Sequence, residues 1–212
     1  MNSIIINFEK IKSLINNTKT NVIAVSKSFQ YDHIKPLVDY GHKHFGENKV
    51  QEAMVKWASV KHQMSDIKLH MIGRLQSNKA KEAIKLFDYI HSLDSLKLAS
   101  SLAKFEESLN LKRKYFIQVN IGNEKQKGGI KIDELEKFYD FCKKTLQLDV
   151  VGLMVIPPVN DDVSKYFKLL MELNQSLGLP ELSMGMSADY KEALKYKTTF
   201  VRIGSAIFGQ RD

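Results

Sequence analysis

Apolar and polar positions alternate along this chain with two periods that take turns. After an amphipathic opening segment at 3–16, short β-prone runs occur at 22–26, 43–46, 69–73, 89–93, 114–120, 150–156, 181–185 and 200–203. Between them lie stretches whose apolar residues recur every three or four positions, predicting helices over 32–40, 50–60, 78–86, 96–109, 132–146, 163–177 and 188–196. Local chemistry marks several boundaries. Gly41 stands where a helix C-terminus tolerates a left-handed residue, and Gly178 with Pro180 closes the helix before it. Asp94 or Ser95 is placed to cap the helix from Leu96, and Ser187 the one carrying Tyr190.

Eight strands alternating with helices predict an α/β protein with parallel strands. A closed (β/α)8 TIM barrel with an extra N-terminal helix is the simplest architecture, and a doubly wound open sheet is the alternative. No low-complexity linker or exact repeat divides the 212 residues, so a single domain over 1–212 is expected.

Composition narrows the setting. The start reaches Glu9 after only a short apolar run at 4–6, unlike a secretory signal, and no stretch approaches the roughly 18 apolar residues of a membrane span. Cys142 is the only cysteine, which excludes an internal disulfide framework and suits a cytoplasmic protein; its amphipathic surroundings favour a core residue over a nucleophile. The net charge is +8, yet 28 of the 32 basic residues are lysine, scattered among acids. Nucleic-acid surfaces concentrate charge and favour arginine, so a solvated surface is the better reading and no nucleic-acid partner is expected. The six histidines show no recognised metal spacing, and no metal is assigned.

In a barrel the chemistry lies at the C-terminal strand ends. Those ends read Ser26-Lys27, Gly46-Glu47-Asn48, Gly73-Arg74, Asn120, Ile156-Pro157-Pro158, Met186-Ser187 and Gly204-Ser205. "VIAVSKSF" puts Lys27 just past an apolar strand; alone it would be an ordinary surface lysine. Ser187, Gly204 and Ser205, at the last two strand ends, suit a phosphate. The first strand of a closed barrel is adjacent to the eighth, so an aldehyde on a phosphorylated ring would reach the Lys27 amine. Pyridoxal 5′-phosphate has both functions. Arg202 shares a strand face with Gly204 and would meet the pyridine nitrogen, weakening the ring as an electron sink.

At "AVSKSF", "HFGENKVQEA", "HMIGRLQSNKAK", "HSLDSLKLA", "VNIGNEKQKGGI", "GLMVIPP", "LSMGMSADYKEAL" and "FVRIGSAIFG", over almost the whole chain, the sequence resembles the pyridoxal phosphate homeostasis family. The resemblance implies a barrel like the N-terminal domain of alanine racemase, with Lys27 as the Schiff-base lysine, the phosphate near Ser187, Gly204 and Ser205, and Arg202 toward the pyridine nitrogen. It also implies Asn48 beside the ring and Met154 lining the pocket; a helix N-cap and plain barrel packing are the competing readings of these two. Lys49 and Lys197 depart from the family pattern, standing for an aromatic residue and a glycine.

The function implied is a monomeric, non-catalytic carrier that buffers pyridoxal 5′-phosphate or delivers it to cofactor-dependent apo-enzymes. Exchange through Lys27 requires an unprotonated amine, which partial desolvation and Arg202 favour. An amino-acid racemase or decarboxylase is the rival; those relatives complete their sites with a second domain, for which little chain is left after 203. Arg74, Lys79 and Lys81, and the loop with Glu124, Lys125 and Lys127, read as solvated segments or as regulators of access.

Overall fold

The computed structural model describes residues 2–16, 18–124, 128–159 and 161–210; Lys125 and Lys127 lie outside them. Helix α1 (Ser3–Ile15) is capped by Asn2, whose Oδ1 accepts from the Ile4 N–H at 2.9 Å. There follow β1 (Asn21–Val25), α2 (Tyr31–Asp39), β2 (His44–Glu47), α3 (Val50–Gln63), β3 (Lys68–Met71), a 3-10 turn (Ser77–Lys79) running into α4 (Ala80–Leu86), β4 (Tyr89–Leu93) and α5 (Leu96–Leu109). The second half contains β5 (Lys114–Gln118), α6 (Leu135–Asp140), β6 (Asp149–Met154), α7 (Val163–Ser176), β7 (Glu181–Met186), α8 (Tyr190–Ala193), β8 (Phe200–Ile203) and α9 (Ser205–Phe208).

The eight strands close into a parallel barrel in chain order, β1 pairing with β8 through Asn21–Phe200, Val22–Val201, Ile23–Arg202 and Ala24–Ile203. Closure brings the first and last strand ends together, the adjacency the strand-end argument requires. One face of each strand packs on the helices, as the apolar positions of α2, α3, α5 and α7 demand. The other face fills the barrel with Ile23, Phe116, Val151, Met154 and Phe200, so the interior is packed rather than open. The N-terminal helix packs against α2 and α9, with Phe8 against the rings of Tyr40 and His42.

Two boundary expectations hold: Gly41 has φ +91°, and Ser95 Oγ accepts from the Leu98 N–H at 3.4 Å. Two change. Ser187 does not cap α8; Asp189 Oδ1 accepts from the Met186 N–H at 2.6 Å, and Ser187 turns toward α9. The helix expected over 132–146 divides into a 3-10 turn (Ile132–Glu134), α6 and a π-helical stretch (Phe141–Thr145), while Leu135, Phe138, Tyr139 and Cys142 still face the core.

Candidate functional site

At the C-terminal mouth of the barrel a cavity of about 560 Å³ is lined by Val25, Lys27, Asn48, Ile72, Ile156, Met186, Ser187, Ala188, Arg202, Gly204, Ser205 and Gln210. Its size suits a small organic ligand. Six of the seven candidate residues meet there: Lys27, Asn48, Ser187, Arg202, Gly204 and Ser205. Met154 does not line it. That side chain is fully buried in the barrel interior with Ile23, Phe116, Val151 and Phe200, because the inward face of β6 points into the packed core at this level.

Lys27 is half-buried, on a turn fastened at both flanks. Ser26 O accepts from Lys56 Nζ at 2.7 Å, and Ser26 Oγ donates to Glu47 Oε1 at 2.7 Å. Ser28 takes the left-handed conformation at φ 67°, uncommon for a residue with a side chain, and its N–H donates to Glu52 Oε1. Phe29 then stacks on His33 and packs against Phe208, joining the turn to α9.

Arg202 is buried. Its Nη1 donates to Ser183 Oγ and its Nη2 to the carbonyl of Val155, both at 2.7 Å. Burial pushes the guanidinium down to about 10, opposed by Asp189, so it stays cationic at neutral pH. Asn48 does not cap α3, whose N-cap is Lys49; its Oδ1 is buried without a hydrogen-bond partner at the cavity wall. Ser187 Oγ accepts from the N–H groups of Gly204 and Ala206 at 3.3 and 3.5 Å, long contacts that an anionic oxygen would outcompete. A Cβ on Gly204 would lie 3.3 Å from the Val25 carbonyl oxygen, so glycine permits this close approach of β8 to β1.

Comparison with known proteins bears on what such a cavity holds. The family model described as "Alanine racemase, N-terminal domain" matches residues 1–212. The pyridoxal phosphate homeostasis protein of Aquifex aeolicus is 37% identical over 199 residues, covering 90% of this chain and 86% of its own. That of Synechocystis sp. is 36% identical over 199 residues, covering 90% and 91%. This chain belongs to the pyridoxal phosphate homeostasis protein family. The solved structure of PipY from Synechococcus elongatus with PLP bound superposes at a TM-score of 0.86 with 33% identity, covering 96% of this chain and all of that one.

In this member of the homeostasis family two sets of polar side chains outside the cavity lining have no role assigned from the sequence, one between β2 and α3 and one inside the barrel. Glu47 is fully buried, and its Oε1 accepts from Ser26 Oγ, from Lys56 Nζ at 2.9 Å and from Trp57 Nε1 at 2.9 Å. Lys56 lies on the apolar face of α3 with Ala53, Trp57 and Val60, a position where a lysine signals a buried partner. The second set is a series of histidines inside the barrel. His44, His70 and His91 share the inward face of β2, β3 and β4; alternation in the sequence gives which residues of each strand share a face, while barrel closure turns this face inward.

Arg74 lies apart from these residues, in an adjoining cavity of about 260 Å³ with Asp94, whose carboxyl is pushed up by burial. Among the described residues no cluster of His, Cys, Asp and Glu is placed to hold a metal ion, and no helix is long and apolar enough to cross a membrane.

Proposed function

We propose that this protein binds pyridoxal 5′-phosphate through Lys27 and holds it for buffering or for delivery to cofactor-dependent apo-enzymes. The observation that carries the reading is the convergence of an amine, a buried arginine and a hydroxyl-and-backbone cradle on one cavity, in a chain of the homeostasis family. PipY, a third identical in sequence, has PLP bound in its solved structure, which supports the same ligand here.

The residues present fit the group. The partnerless Asn48 Oδ1 is a buried acceptor in the wall, where a polar ring substituent would satisfy it. Ser187, Ser205 and the N–H groups of Gly204 and Ala206 would hold the phosphate; Arg202, restrained by Ser183 and Val155, would face the ring nitrogen. When bound, the cofactor supplies an aldehyde that an amine bonds reversibly and a phosphate that anchors it.

Lys27 presents that amine from a turn that Lys56 and Glu52 keep in place. Arg202 donates and never accepts, so it disfavours a proton on the ring nitrogen facing it and weakens the ring as an electron sink. A holding role with no strong catalysis follows, in keeping with relatives that carry a homeostasis name rather than an enzyme's. The protein is further proposed to act as a single-domain cytoplasmic monomer.

The test is reconstitution with pyridoxal 5′-phosphate, absorption spectroscopy, borohydride reduction and peptide mass mapping. The expected adduct is on Lys27, and Lys27→Ala abolishes both adduct and visible band. An unchanged band and adduct in that variant would sink the assignment, and racemisation of amino acids at a Lys27-dependent rate would restore the enzyme reading.

A further inference from the structure

Through the otherwise apolar barrel interior runs one continuous polar seam. His44 Nδ1 lies 3.0 Å from His70 Nε2, His70 Nδ1 lies 2.9 Å from His91 Nε2, and His91 Nδ1 lies 2.9 Å from Ser183 Oγ. Ser183 Oγ in turn accepts from Arg202 Nη1 at 2.7 Å. Rings brace the series: His70 stacks on Tyr89, His91 stacks on Phe116, and Phe200 stands edge-on to His91. His70 and His91 are fully buried, and burial keeps both far below the ordinary histidine range. The two are therefore neutral, each with one N–H and one acceptor nitrogen.

Geometry and valence then decide where every proton sits. A guanidinium has no acceptor, so Arg202 always donates to Ser183 Oγ. Ser183 has one hydroxyl proton, and among the described residues its only acceptor is His91 Nδ1. His91 consequently carries its proton on Nε2 and donates to His70 Nδ1, and His70 donates from Nε2 to His44 Nδ1. His44, on the same logic, keeps its proton on Nε2. The opposite order would send the His91 proton into Ser183 Oγ and leave the serine's own proton buried without an acceptor.

We infer that His91, His70 and His44 form a one-way hydrogen-bond chain that begins at Arg202, and that these histidines with Ser183 are positioning residues for its guanidinium at the cavity floor. This deepens the proposed function and rests on it, because Arg202 matters to the extent that a ring nitrogen faces it. The chain spans the barrel. His44 also lines a groove of about 400 Å³ at the opposite end, beside Phe8 and Lys12 of α1. Arg202 is thereby tied to the base of the fold as well as to the Val155 carbonyl at the mouth.

Nitrogen-15 NMR of the cofactor-free protein reads the proton positions directly. The expected result is the Nε2–H tautomer at His44, His70 and His91; an Nδ1–H or doubly protonated ring at any of the three in the wild type would overturn the direction. Histidine replacements risk the fold, so the junction is the better target. Ser183→Ala keeps all three histidines and Arg202; it is expected to release the fixed tautomer of His91 and, after loading with pyridoxal phosphate labelled at its ring nitrogen, to shift that nitrogen's resonance. Ser183→Thr, which retains the hydroxyl, is expected to restore both signals. Unchanged tautomers and an unchanged ring-nitrogen resonance in Ser183→Ala would refute the positioning role. A wild type that takes up no cofactor would instead defeat the proposed function, leaving the tautomer result to judge the chain by itself.

Discussion

Replacing Lys56 by methionine would keep the aliphatic bulk on α3 and remove one charge. In the native structure Lys56 Nζ is 2.9 Å from Glu47 Oε1 and donates to Ser26 O at 2.7 Å, with side-chain exposures of 5% for Lys56 and 0% for Glu47. Glu47 Oε2 already lacks a hydrogen-bond partner. The substitution therefore strands a buried carboxylate beside Trp57 and also deprives the Ser26 carbonyl of its donor. Breaking a pair buried to this degree costs about 3–5 kcal/mol. For a chain of this length that corresponds to a fall in melting temperature of about 6–20 °C.

Urea unfolding followed by circular dichroism measures the loss, and Trp57 fluorescence reports it locally because its indole N–H donates to the same Glu47 oxygen. A Glu47→Gln/Lys56→Met double variant removes the charge while its amide oxygen still accepts from Ser26 and Trp57, so it should recover about 1–3 kcal/mol of the single variant's loss. The turn carrying Lys27 should also loosen, weakening cofactor retention in Lys56→Met. A cost below about 1 kcal/mol, or a double variant no more stable than the single, would refute the reasoning.

Stability should also fall on the acid side. Burial lowers His42 to about 4 and lowers His44, His70 and His91 as well. Their contribution is complete above the unfolded value of about 6.5; below it the unfolded chain binds more protons, and each such histidine costs about 1.4 kcal/mol per pH unit down to its folded value. Melting temperatures taken between pH 7.5 and 5 should decline steeply below about 6.5; a level profile would contradict buried neutral histidines. Burial raises the Cys142 thiol to about 12, so thiol reagents should label it only at the rate of unfolding, and fast labelling of the native protein would contradict its packing.

The strands and helices were legible because their periods are written locally. Tyr89–Leu93, Leu96–Leu109 and Phe200–Ile203 coincide with the elements the alternation predicts; Lys27, Asn48, Ser187, Gly204 and Ser205 were visible as strand-end residues, and Arg202 as a residue sharing a strand face with Gly204. Of the two readings open for Met154, pocket lining and plain barrel packing, its burial in the interior matches the second. The cavity wall on this side begins only at Ile156, two residues past Met154 and beyond the end of β6, and strand phase, which gives both residues the same face, does not say where the wall begins.

Chain order and alternation by themselves determined the eight-stranded α/β pattern, the amine past the first strand and the cradle past the last two. Only the tertiary structure decided which polar groups meet across the barrel. Glu47 finds Lys56 nine residues on, His91 finds Ser183 across 92 residues, and Arg202 finds the Val155 carbonyl 47 residues away. Such pairings depend on barrel closure and register, which set distances between strands remote in sequence. A buried polar group must find its partner wherever the closed barrel places one.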